Sequence, residues 1–234
     1  CNSGMDVVFI FDYTGSMGPQ IEAVKSGVSN IINTIITESG TNDYRLGLVL
    51  ADENTSATNS NYSNNVEYTS LPSAQKIINT GITNYQWLTT MEPMAINNEV
   101  SFTSQLNKLN GVLPIGHGAG GPEPIDLALS EVIENSFANS FRNNVAKYVI
   151  IITDTYPGGN DDVFTETDID ELDRLSQICI SNGIKIIVLG EGVTANFNSI
   201  YPWKDIATNS GGSWNASYDA TTIQTEIINN CTPT

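Results

Sequence analysis

The chain has 234 residues, enough for one large α/β domain and short for two. Its 40% hydrophobic content supports a buried core and excludes wholesale disorder. Nine Lys and Arg against 26 Asp and Glu give a formal charge of −17, which repels nucleic acid and anionic lipid and attracts cations.

In chain order, Met5 to Phe11 is an apolar run ending at Asp12, too short for a helix and suited to a strand buried on both faces. Ile21, Val24, Val28, Ile31, Ile32 and Ile35 then share one helical face. Tyr44 to Ala51 is the second predicted strand, and residues 52–74, rich in Asn, Ser and Thr, are expected to form a long decorated loop. A strand near Tyr85–Met91 and a helix near Val100–Leu109 follow, then a glycine-rich stretch from Gly116 to Gly121 and a helix over about Pro124–Phe137. Lys147–Thr153 is another apolar strand, ending at Asp154. A helix over Asp168–Ser181 leads through Gly183 into the strand Ile184–Leu189. A helix around Ile200–Ala207, a short strand at Ser213–Ala216 and a helix over Thr221–Asn229 finish the pattern. Alternating helices and buried strands predict a doubly wound, mostly parallel α/β sheet with helices on both faces, in one domain over residues 1–234. Ligands of such sheets bind beyond the carboxyl ends of the strands, where Asp12 and Asp154 fall.

The candidate chemistry lies in Asp12-Tyr13-Thr14-Gly15-Ser16. A carboxylate at a strand end, followed by hydroxyls two and four residues on, supplies converging hard oxygen donors of the kind Mg²⁺ and Ca²⁺ take. Glu123 and Asp154 can complete the cluster from two other loops, and carboxylates so close repel one another unless a cation neutralises them.

Phe11-Asp12-Tyr13-Thr14-Gly15-Ser16-Met17 after an apolar strand resembles the metal-ion-dependent adhesion site of von Willebrand factor A and integrin I domains, particularly the hemicentin-like branch. Gly120-Gly121-Pro122-Glu123 resembles that branch's second loop, and Ile152-Thr153-Asp154 its third. The resemblance implies direct coordination by Thr14 and Ser16, with Asp12 and Asp154 acting through water and Glu123 binding directly or through water. It implies Mg²⁺, with Ca²⁺ or Mn²⁺ as alternatives, and one coordination position left for a partner's acidic side chain. Gly18, Pro19, Gln20 and Gly120 stand where relatives carry further acids, so no second or third adjacent cation is expected.

A non-enzymatic adhesion or protein-binding module is therefore expected, extracellular or at a cell surface; the alternative is an assembly module of a surface fibre, pilus or adhesin. A haloacid dehalogenase-type phosphatase also places an Asp after its first strand, but needs a second Asp as general acid where Thr14 stands. A disulfide between Cys1 and Cys231 would close nearly the whole chain, worth about 4–5 kcal/mol, and implies an oxidising compartment. Unrelated thiols, or a lipid-modified Cys1, are the alternatives. Cys179 is expected as a buried free thiol and His117 as a solvent-facing loop residue. The acids from Asp161 to Asp173 are expected to favour a helix N-terminus rather than bind Ca²⁺. Four glycosylation sequons, at Asn54, Asn61, Asn215 and Asn230, are compatible with secretion but arise easily in so polar a chain.

Overall fold

A computed structural model describes residues 4–40, 42–58, 61–118, 120–158, 161, 163–190 and 202–231. Among these described residues, seven strands form one sheet in the order β3-β4-β2-β1-β5-β6-β7. They are β1 (Met5–Asp12), β2 (Tyr44–Asn54), β3 (Lys76–Thr80), β4 (Tyr85–Ile96), β5 (Ala146–Ile152), β6 (Ile184–Leu189) and β7 (Ser213–Asn215). Strands β2, β1, β5, β6 and β7 run parallel, while β4 joins β2 antiparallel and β3 pairs antiparallel with β4.

Every residue of β1 is buried because the strand lies at the sheet's centre with helices on both faces. Alternation along the strand divides its side chains between two cores. Val7, Phe9 and Phe11 face α1 (Gly18–Glu38), α3 (Glu99–Leu106) and α7 (Ala220–Asn230). Val8 and Ile10 face α4 (Ile125–Glu134), α5 (Glu166–Asn182) and α6 (Pro202–Asn209). The six apolar residues expected on one face of α1 are all buried. Helix α5 starts with a capping box, in which Asp168 Oδ2 accepts from the Thr165 amide at 2.6 Å and hydroxyl at 2.9 Å. It ends at Gly183, whose φ of 65° belongs to the left-handed region. Asp168 thus completes the capping box in the first turn of the helix, the N-terminal placement expected for such acids.

The structure departs from the sequence expectation between residues 52 and 96. Strand β2 runs on through Asp52, Glu53 and Asn54, which pair with Trp87, Gln86 and Tyr85 of β4. Within the expected loop lies a one-turn helix, α2 (Val66–Thr69), and β3 follows it. Acidic and amide side chains disfavour strands on local grounds. Here the segment after β2 covers the sheet end with an aromatic cluster in which Tyr62 stands 5.1 Å from Tyr68 and 5.9 Å from Trp87. Trp203 is buried and donates its indole N–H to the Thr155 carbonyl at 2.7 Å. Tyr201 and Ile200, at the predicted start of that helix, lie outside the described residues.

Candidate metal centre

At the carboxyl end of the sheet, β1 and β5 are neighbours, so the loops after Asp12 and Ile152 emerge side by side. Asp12 is fully buried. Its Oδ1 accepts from the Thr14 hydroxyl at 2.6 Å and the Thr14 amide at 3.0 Å, and its Oδ2 accepts from the Thr153 hydroxyl at 2.9 Å. The exposed Ser16 donates its hydroxyl to Asp154 Oδ1 at 3.1 Å. Asp12 and Thr14 are thus joined within the first loop, and Ser16 links that loop to Asp154 after β5.

Glu123 reaches the same place from the chain ahead of α4. Its backbone is tied to the loop after β5: its amide donates to the Tyr156 carbonyl at 2.9 Å, and its carbonyl accepts from the Gly158 amide at 2.8 Å. A Cβ on Gly158 would lie 2.6 Å from the Pro122 carbonyl oxygen, so this approach requires glycine. Glu123 is 3% exposed, and its Oε2 is buried with no hydrogen-bond partner among the described residues. Burial, followed by the charges of Asp12, Glu53, Asp52 and Asp154, pushes its carboxyl up to about 11. Asp12 is raised to about 7, by burial first and by Asp154, against the lowering effect of the hydroxyl and amide donors.

Among the described residues no three Asp, Glu, His or Cys side chains lie together at metal-holding spacing. The donor set at this place is mixed, with two hydroxyls beside three carboxylates, and Asp12 is set back behind hydroxyls that donate to it. Such a set suits a hard cation that retains water. An unpartnered, deeply buried carboxylate oxygen is costly unless protonated or neutralised. By the chemistry of their side chains, Thr14, Ser16, Glu123, Asp12 and Asp154 suit a divalent cation that retains water.

Asp52 and Glu53 are participants that the sequence reading placed in a loop. Both are buried at the end of β2, and both add negative charge at Glu123. An available signal was their position directly after an apolar strand, the placement that singled out Asp12 and Asp154. His117 is exposed, as expected. Asn54 and Asn230 are buried, and the amide nitrogens of Asn61, Asn215 and Asn230 donate hydrogen bonds within the fold.

Residues 64–226 match the family model of the von Willebrand factor type A domain, and the chain belongs to that family. As a class these are protein-interaction modules. The match begins after β2, so Asp12, Thr14 and Ser16 lie outside it. Proximal thread matrix protein 1 from the mussel byssus aligns over 99% of this chain and 47% of its own, at 16% identity and a TM-score of 0.56. The pilus adhesin SpaC from Lactobacillus rhamnosus GG aligns over 98% of this chain and 30% of its own, at 14% identity and a TM-score of 0.52. Human COPII-coat protein Sec24c aligns over 91% and 29%, at 9% identity and a TM-score of 0.55. The chain spans less than half of each of these solved chains, and at such identities the likeness concerns the fold. Comparison with curated protein sequences gives no match. No helix among the described residues is long and apolar enough to cross a membrane.

Proposed function

We propose that residues 1–234 form one extracellular or cell-surface adhesion module of the hemicentin-like kind, which binds a protein partner through a divalent cation. Asp12, Thr14, Ser16, Glu123 and Asp154 hold the ion, Mg²⁺ or alternatively Ca²⁺ or Mn²⁺, and an acidic side chain of the partner completes its coordination. The observation that carries this reading is the orphaned Glu123 Oε2, buried within the field of four other carboxylates. The module binds and does not catalyse. Calorimetric titration with Mg²⁺ and Mn²⁺ tests it: the unsubstituted protein binds one ion, and Asp12→Ala abolishes binding while the fold persists. An unchanged isotherm in Asp12→Ala removes the ion from this place.

The extracellular setting rests on the cysteines. Cys179 is a free thiol buried in the core under α5. Cys1 lies outside the described residues. Cys231 lies at the opposite end of the sheet from the metal centre: Tyr148, which pairs with Val7 of β1, donates its hydroxyl to the Asn230 carbonyl at 2.9 Å, with Cys231 Sγ at 3.7 Å. Cys231 thus lies beside the beginning of β1, the strand that follows Cys1 in the sequence, and we propose that the two cysteines form a disulfide. Peptide mapping without reduction should recover one cross-linked fragment containing both. A cross-link through Cys179 would overturn the pairing.

A further inference from the structure

We propose that Asp52 is a positioning residue for the cation site, acting through the backbone of residues 116–118; the inference rests on the cation reading above. Asp52 is fully buried at the end of β2. Its Oδ1 accepts from the amides of His117 at 3.0 Å and Gly118 at 3.1 Å, while the Tyr62 phenol hydrogen-bonds to the same carboxylate. Asn61, from the same segment as Tyr62, donates to the carbonyls of Ile115 at 3.0 Å and Gly116 at 3.1 Å. From the opposite side, the Gly116 amide donates to the Tyr13 carbonyl at 2.8 Å.

The clamped backbone lies against two of the proposed donors. A Cβ on Gly118, which has a φ of 64°, would stand 3.0 Å from Thr14 Cβ and 3.2 Å from Glu123 Oε1. At Gly116 a Cβ would fall 2.2 Å from Asp52 Cγ, so the carboxylate and this backbone meet with no space between them. Asp52 therefore fixes the wall against which Thr14 and Glu123 rest. The segment that interrupts the expected loop, with Asn61 and Tyr62, is what holds Asp52 and its loop in register.

The test is Mn²⁺ calorimetry on the unsubstituted protein, Asp52→Asn and Asp12→Ala, with apo melting temperature measured alongside. His117 is the only histidine, so its imidazole resonances report on the loop without assignment ambiguity. Asp52→Asn keeps the shape but replaces one acceptor oxygen with a donor. It should bind Mn²⁺ about 10–100-fold more weakly, as is usual when a supporting group behind a metal ligand is lost, and should shift the His117 resonances. A purely structural role would lower melting and leave the affinity of the folded protein unchanged. Unchanged Mn²⁺ affinity in Asp52→Asn, with binding abolished in Asp12→Ala, overturns this inference alone. Binding that survives in Asp12→Ala overturns the cation reading and this inference with it. Amide exchange in the unsubstituted apo protein decides the matter even where Asp52→Asn does not fold: protected His117 and Gly118 amides support the clamp, and free-loop exchange rates overturn it.

Discussion

Asp6→Ala is expected to destabilise the protein by about 3–5 kcal/mol, the usual cost of removing one partner from a buried ion pair. Asp6 lies on β1 at the end of the sheet remote from the candidate metal centre and is fully buried. Arg45, its register partner on β2, donates through Nε to Oδ1 at 2.9 Å. Arg142 donates its Nε to the same oxygen at 2.9 Å and its backbone amide to Oδ2 at 2.8 Å. Arg142 also pairs with Asp43, so two guanidinium groups and two carboxylates tie the strand starts to the segment before β5. Burial by itself would raise the Asp6 carboxyl, but the donors from Arg45 and Arg142 outweigh it and hold the group below its ordinary value. A depressed folded pKa places this contribution above the unfolded value of about 3.9 and removes it as pH falls through the folded value. Urea unfolding at neutral pH and in acid checks both statements. The unsubstituted protein should lose stability in acid, and Asp6→Ala should show a shallower acid dependence. A loss below about 1 kcal/mol, the ceiling for exposed pairs, would mean that water already screens the cluster.

At the other end of the sheet the pH dependence reverses sign. Asp12 is raised to about 7 and Glu123 to about 11, in each case with burial as the largest cause. A carboxyl raised on folding contributes stability below its unfolded pKa of about 4 and loses it as pH rises through the folded value. Chelated protein should therefore melt lower at about pH 8 than at about pH 5, with Asp12 contributing up to about 7 and Glu123 beyond it. Binding of the proposed cation should displace these protons, so affinity should rise with pH over the same window. The proton release is measurable by titration in buffers of different ionisation enthalpy. At a hundredfold excess over Kd the ion stabilises the fold by about 2.7 kcal/mol, which for a domain of this size raises Tm by roughly 5–10 °C. Glu123→Gln relieves the apo repulsion and weakens the ion, so its Tm should depend far less on Mg²⁺. Sodium at matched ionic strength is the necessary control, because screening alone stabilises a chain of charge −17. Equal Mg²⁺ responses in the unsubstituted protein and Glu123→Gln would take Glu123 out of the site.

Local sequence was enough where one local property decided the structure. The apolar run of β1, the helical spacing in α1 and the left-handed Gly183 between α5 and β6 each specify their element with no knowledge of what packs against it. Parallel order followed too, since strands buried on both faces need helices on both sides. Asp12 and Asp154 drew notice because each directly follows an apolar strand, whereas Glu123 was singled out by the resemblance of Gly120-Gly121-Pro122-Glu123 to a family loop. Only the tertiary structure decided that Asp52 and Glu53 are buried strand residues. Their burial comes from Tyr62 and Tyr68 on a covering segment and from Trp87 and Gln86 on an antiparallel neighbour. The same holds for Asp6, whose partners lie 39 and 136 residues along the chain. A polar side chain reads as exposed until its distant partners are known, because the hydrogen bonds and charges that make burial tolerable leave no trace in local periodicity.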